Sequence, residues 1–431
     1  MSTRENEANP LPQDPDEAAA RNYVDWLQMI PFAPGDPPMF QVGVTRALRR
    51  SIALQRLQQE VGEIDVPPDL NAVADKIRRN RERAMRKFRK ELRVKTQSDT
   101  SLLAASPARK ADFLAHLRSI VRRKHPRISL SEEEPAKLAP HLSYFDWRLS
   151  GCVPPVRDQK DCNTCWAFAA TAAYESRLNY NLSQVHIEAD PDQGNFPPRV
   201  ALSVQCLLNC TEDNNGCQSG FHMSAFHQFF KKGARILAFR QDGSDVDVQG
   251  EILGAPKDPG QKDDCKQIRK SGVKAVAWDF VANAPDKVPS NAALKKALLE
   301  HGPLAVTVLI SEAFKAYKGG VFFHKPEFGG QTPHAMLLTG WDDRKGEKGA
   351  WILQNSYGED WGEACVDLDA VQEAAPTSFY AKKLAARPSG CIYMRYDENG
   401  LGRFAAWVEA PFEIPPTLLP NSDAVARPTL A

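Results

Sequence analysis

The sequence predicts an α+β fold in which a helical N-terminal region leads into a domain of mixed helices and strands. Three observations carry that reading. Helical periodicity and proline-containing turns fill much of the first 124 residues. From Ser143 onward the texture changes to aromatics, cysteines and alternating β-branched runs, and all nine cysteines lie in this part. Within it a small-residue helix pattern, Ala169 to Tyr180, precedes two apolar runs of strand character that begin at His334 and Gly349. At 431 residues the chain has room for one large domain or two moderate ones. A net charge of +1 gives no overall pull toward nucleic acid or membrane, and no run of about 18 apolar residues offers a membrane span.

Residues 1–20, rich in Pro, Asp, Glu and Ala, have the composition of a disordered start. Helices are expected around 20–31, 42–62 and 70–95, separated by turns such as Pro34-Gly35-Asp36-Pro37-Pro38. The third is a basic amphipathic helix. Eleven Lys or Arg fall between Lys76 and Lys95 against two acids, Glu82 and Glu91, while Ile77, Ala84, Phe88 and Leu92 form one stripe. A further helix is expected over 107–124. The stretch 126–142, with Pro126, Glu132-Glu133-Glu134, Pro135 and Pro140, reads as a linker. Three regions follow: a helical basic region to residue 140, a main domain over 141–412, and a proline-bearing flexible tail over 413–431.

The chemistry concentrates at Gln159-Lys160-Asp161-Cys162-Asn163-Thr164-Cys165-Trp166. Cys165 stands at the start of a predicted helix, where the partial positive charge of the helix N-terminus favours thiolate over thiol. Six residues upstream, the Gln159 amide is placed to donate to an oxyanion beside the backbone N–H of Cys165. The Cys-x-x-Cys spacing also fits a metal site or a redox motif. Zinc would need a second ligand pair of comparable spacing, and a thioredoxin-like motif would need a preceding strand. Neither is found.

A thiolate nucleophile needs a proton partner. His334 opens an apolar strand, whereas the ordinary reading of a lone histidine beside a strand is structural. The following strand, however, ends in Asn355. Its amide oxygen can accept an imidazole N–H, fix the tautomer and aim the other ring nitrogen at Cys165.

These segments, Gln159 with Cys162 to Phe168, the His334 strand and Asn355-Ser356-Tyr357-Gly358 with Trp361-Gly362, resemble the papain-like cysteine peptidase family over about residues 143–412. The resemblance implies a two-lobed fold, a helical left lobe and a β-barrel-like right lobe. The cleft between them would hold Cys165 as nucleophile, His334 as base, Asn355 as its orienter and Gln159 in the oxyanion site. Tyr357 stands where the family usually has Trp, a ring that shields the His–Asn bond. Disulfides Cys162–Cys217 and Cys210–Cys265 are implied as well. Cys365–Cys391, bracketing an apparent insertion, and Cys152–Cys206 are further expected pairs, with buried free thiols as the alternative. The loop around Ser219, Gly220 and Phe221 is expected to bind substrate backbone, with Ser219 replacing the family's first glycine. Thr307, Pro333, Ala335 and Phe221 are expected to line an apolar pocket, and Trp361 to lie among the substrate contacts. Asn181 and Asn209 fit glycosylation acceptors.

The activity implied is endopeptidase hydrolysis of protein or peptide substrates by a monomer, without metal or organic cofactor. The same triad would serve an acyltransferase or a non-peptide amide hydrolase, and a catalytically inactive binding protein is the third alternative. For residues 1–140 the expectations are an inhibitory pro-region, a targeting or delivery module, or a basic helix for an acidic partner such as nucleic acid. The cysteine pairs suggest a secreted or other extracytoplasmic site, although Met1-Ser2-Thr3-Arg4-Glu5 lacks the apolar core of a secretory signal.

Overall fold

The computed structural model describes residues 14–31, 40–60, 115, 117–119, 121–124, 135–185, 196–211, 217, 220–240, 265, 272–282, 287–369, 371, 379–385 and 389–419. The expected disordered start to residue 13, the basic helix over 70–95, Ser219 and the tail beyond 419 lie outside these residues. Among the described residues no helix is long and apolar enough to cross a membrane.

Two N-terminal helices form near the expected 20–31 and 42–62, but the first begins at Pro15, so residues 15–20, expected to be disordered, are helical. Helix α1 spans Pro15–Met29, capped by the Asp14 carboxylate with proline in its first turn, and α2 spans Arg46–Glu60. Between them a short strand β1, Gln41–Val42, leaves the N-terminal region and joins the main domain. Of the helix expected over 107–124, the described residues 117–119 and 121–124 are helical, and Leu117 and Val121 are buried.

The linker expected over 126–142 is corrected in its second half: Pro135–Leu138 is a helical turn, Leu138, Ala139 and Leu142 are buried, and the Trp341 indole N–H donates to the Leu142 carbonyl. Strand β2, Tyr144–Asp146, follows, and the chain soon reaches α3, Cys165–Val185. Helix α3 is buried along most of its length. Its alanines, Ala167, Ala169, Ala170 and Ala173, let neighbouring backbone approach closely. The one buried acid on it, Glu175, is held by the Arg157 guanidinium at 3.0 Å and by the Leu202 N–H at 2.9 Å. Strand β3 (Arg199–Leu202), α4 (Val204–Cys210), α5 (His222–Lys231) and β4 (Ile236–Arg240) complete the helical half, with β3 and β4 paired in a two-stranded ribbon.

The other half is an eight-stranded sheet. It contains β5 (Ala277–Phe280), β6 (Leu304–Ile310), which follows helix α6 (Asn291–His301), β8 (Val321–Phe322) and β9 (Thr332–Asp342). Strand β10 (Ala350–Gln354), helix α7 (Phe379–Ala385), β11 (Cys391–Arg395) and β12 (Arg403–Glu409) follow. The order is β5-β12-β6-β9-β10-β11-β8, with β2 also on β9, and the described strands do not close into a barrel. The barrel-like expectation is therefore corrected to an open sheet. Residues 334–342 of β9 are buried without a break because β6 and β10 flank it and α3 crosses it. Gly340 is required there, since a Cβ would lie 2.0 Å from the Phe145 carbonyl oxygen of β2.

Disulfides Cys162–Cys217 and Cys210–Cys265 are formed. The other two expected pairs are not, and Cys152, Cys206, Cys365 and Cys391 are buried outside any disulfide. Cys206 packs in a small cluster with Cys210 and Cys265, whereas Cys152 belongs to the main core. Cys365 and Cys391 are engaged by Arg148, whose guanidinium donates to Cys391 Sγ at 3.3 Å and to the Cys365 carbonyl at 2.7 Å. Asn181 is corrected too. Its amide is buried and donates to the Ala410 carbonyl, so no glycan can be attached to the folded chain there.

A buried histidine gives the fold an acid limit. His222 donates Nε2–H to the Phe404 carbonyl at 2.7 Å, and burial lowers its pKa from 6.5 to about 4 although that bond opposes the shift. The unfolded chain binds the proton first as pH falls. Stability carried by the neutral ring is complete above 6.5 and declines until pH reaches about 4, by about 3 kcal/mol. Urea unfolding at pH 7 and 4.5 should show the loss, and His222→Gln should shrink it; an unchanged pH dependence in the variant would exclude this cause.

Candidate active site

Cys165 lies where the helical half meets the sheet. Local chain geometry puts it at the first position of α3: the Ala167 and Phe168 N–H groups bond back to the Thr164 carbonyl, and Cys162–Cys217 anchors the preceding loop. Its Sγ accepts from the Ala335 backbone N–H of β9 at 3.4 Å. His334 is therefore next to the residue that touches the sulfur. From the neighbouring strand, Asn355 Oδ1 lies 2.8 Å from His334 Nε2, which leaves Nδ1 as the free ring nitrogen. Residues distant in sequence converge because β9 and β10 pair in antiparallel register.

Burial shapes the electrostatics. It raises the Cys165 thiol, against N–H bonds from Ala335, Trp166 and Cys165 itself that act the other way. It lowers His334 to about 4, against the Asn355 bond, which raises it, and with Lys315 adding to the fall. A lone thiolate and a lone imidazolium are both disfavoured here. Aromatic rings pack around the imidazole. Tyr357 packs at 5.0 Å from the imidazole and Phe314 at 5.9 Å.

Gln159 is buried beside this group. Its Nε2 donates to the Cys162 carbonyl at 2.9 Å, which uses one of two amide hydrogens, and its Oε1 accepts from Ser356 Oγ at 2.6 Å. Ser356 was quoted in the sequence motif without a role. Here its N–H also donates to Asn355 Oδ1, so one residue ties the Gln159 amide to the Asn355 amide. No periodicity could reveal that, because it depends on the turn after β10.

The expected substrate contacts divide. Ala335 touches the sulfur, and Thr307 is its partner across β6 and β9. Gly220 lies against the Trp166 ring, where a Cβ would come within 2.3 Å of it, and Phe221 follows, half-buried, at the start of α5. Pro333 is exposed opposite Leu309. Trp361 is corrected: it is 1% exposed, packs on Phe314, Tyr317 and Tyr357, and donates its indole N–H to the Lys315 carbonyl. It supports the ring over His334 and presents no surface to a substrate.

The sequence also gave no sign of what borders the site. Strand β1 pairs with β7, Tyr317–Gly319, and Phe40 packs among Tyr317, Phe322, Phe323 and Phe328. Thr45 Oγ donates to the Lys315 carbonyl at 2.5 Å. Arg50 forms a two-pronged pair with the Asp158 carboxylate at 3.0 and 3.2 Å, one residue before Gln159.

A thiol at a helix start, bonded to the Ala335 N–H next to a histidine–asparagine pair where a helical half meets a sheet, places this chain among two-lobed α+β thiol proteins. A family model described as papain family cysteine protease matches residues 142–366, and the chain belongs to that family. Cathepsin 7 of Rattus norvegicus is 33% identical over 227 residues, 51% of this chain and 58% of that protein. Falcipain-2a of Plasmodium falciparum (isolate 3D7) is 31% identical over 232 residues, 52% and 40% of the two chains. Cathepsin K of Mus musculus is 30% identical over 219 residues, 51% and 56%. The matched part is thus 40% to 58% of the length of these relatives.

Proposed function

We propose that the chain is a cysteine endopeptidase working through Cys165, His334 and Asn355, made as a precursor whose N-terminal region covers one end of the cleft. The observation that carries this reading is the convergence of Cys165 Sγ, the Ala335–His334 strand start and Asn355 Oδ1 within hydrogen-bond contacts of 3.4 and 2.8 Å. His334 takes the thiol proton, and the thiolate attacks the peptide carbonyl carbon. The resulting oxyanion accepts from the Cys165 backbone N–H and from the second Gln159 amide hydrogen. Collapse breaks the C–N bond, with the imidazolium proton going to the leaving amine. Water, deprotonated by His334, then opens the thioester. Asn355 keeps the ring aimed throughout. The two formed disulfides support an oxidising compartment outside the cytoplasm.

Labelling with a thiol-directed epoxide, followed by peptide mapping, tests the nucleophile. Modification at Cys165 with loss of peptide hydrolysis is expected, and labelling elsewhere would sink the reading. Product analysis on a peptide library tests the reaction: cleaved peptide bonds are expected, and their absence would favour a non-peptide amide. Gln159→Ala should lower kcat by about 10²–10³-fold, the usual cost of one oxyanion donor, with a smaller effect on KM. Steady-state kinetics on one fluorogenic peptide would check it.

A further inference from the structure

Between α3, the start of β9 and the end of β10 lies a small crevice of about 20 Å³, room for roughly one water. Phe168, Ala172 and Met336 give it apolar walls. Four polar side chains also line it, Arg157, Gln354, Asn355 and Ser356, and all four are more than nine-tenths buried. Ser356 Oγ is taken up by Gln159 Oε1; the other three each carry one buried polar atom without a protein hydrogen-bond partner, Arg157 Nε, Gln354 Oε1 and Asn355 Nδ2. The rest of each side chain is fixed. The Arg157 terminal nitrogens bind Glu175 and the Leu202 carbonyl, and Gln354 Nε2 donates to the Pro154 carbonyl at 3.1 Å. Buried polar groups in native proteins are rarely left unsatisfied, and a polar niche with about three such partners is where ordered water is held.

Two donors and one acceptor define what fits. The molecule must accept from Arg157 Nε–H and Asn355 Nδ2–H and donate to Gln354 Oε1, which is the bonding capacity of water. We propose that this crevice is a built water site, and that Gln354 and Arg157 act through that water as positioning residues for Asn355. The inference rests on the reading of Asn355 as the orienter of His334. Asn355 Oδ1 is already committed to the ring and to the Ser356 N–H. A bond on the opposite, Nδ2 end of the same amide stops it from rotating and keeps Oδ1 on the ring. The consequence has a sign. The Asn355 bond raises the pKa of His334, so loosening it makes the imidazolium give up its proton at lower pH, and the alkaline limb of activity moves toward acid.

Two variants remove the water by different routes. Gln354→Met keeps the approximate volume and deletes the acceptor, while Ala172→Leu fills the crevice without altering any polar group. In the full chain, after activation, both are expected to lower kcat about tenfold, leave KM within about twofold and shift the alkaline limb to lower pH. A high-resolution crystal structure should show water bonded to Asn355 Nδ2 and to Arg157 Nε or Gln354 Oε1. Unchanged kcat and pH profile in a folded variant would overturn the proposal, as would a dry crevice or a Gln354 amide bonded directly to Asn355 Nδ2. If one variant fails to fold, the other decides. Cys165→Ala run alongside separates the two levels: if that variant is still active, the triad reading fails, whereas an inactive Cys165→Ala with a silent Gln354→Met removes the water site alone.

Discussion

Replacing Cys165 by alanine should reduce peptide hydrolysis by at least about 10⁴-fold while leaving the fold intact. The size follows from the division of labour in a nucleophilic site. Members of a triad act as a unit, so losing the nucleophile removes nearly all that the triad contributes and leaves only binding and the oxyanion donors. The fold should survive because the thiol is not a structural anchor. Its sulfur accepts only weak backbone N–H bonds, that from Ala335 at 3.4 Å among them, and the loop before it is pinned by Cys162–Cys217. A methyl group there also removes the desolvation cost of a buried ionisable group. Initial rates on a fluorogenic peptide, with a thermal melt of the same sample, check both halves. Residual activity within about tenfold of the parent would move the nucleophile elsewhere.

The parts of the fold legible in the sequence were those governed by short-range pattern. Helix α3 and strands β9 and β10 formed where periodicity put them, α1 starts five residues earlier, inside the stretch whose composition suggested disorder, and the His334–Asn355 contact follows from two consecutive strands pairing. What stayed hidden depends on long-range geometry. Cys365 and Cys391 bracket an insertion as a disulfide pair would, yet the buried Asp146–Arg148 pair brings a guanidinium onto both residues. Trp361 belongs to the motif of the site, but which face of a loop tryptophan is buried is set by Phe314 and Tyr317 from other segments. Asn181 matches a glycosylation pattern that counts residues and is blind to the helix that buries it.

Phe40→Asp in the full-length chain should raise peptide hydrolysis tenfold or more without any cut in the backbone. The N-terminal region meets the main domain through a small set of contacts next to the site: the β1–β7 pairing, Phe40 among four rings, Thr45 on the Lys315 carbonyl, and Arg46 and Arg50 on Asp158. Of these, the 2% exposed Phe40 side chain is the largest single contribution. Emptying an aromatic site of this kind costs about 3–5 kcal/mol, and a carboxylate placed there adds a desolvation penalty. The ion pairs contribute less, because Arg46 is half-exposed and surface pairs are worth about 0–1 kcal/mol. Asp158 nevertheless sets the pH behaviour. Burial raises its carboxyl, but Arg50, the Lys160 N–H and Arg46 outweigh that and hold it below its ordinary 3.8. This tie is therefore complete above 3.8 and lost only as pH falls through the lowered value, so mild acid leaves it in place. Release in the parent should then require cleavage, and N-terminal sequencing of the active form should give a start between about 126 and 146. Full activity of the uncut parent, equal to that of Phe40→Asp, would show that the region does not restrain the site and would leave targeting or delivery as its role.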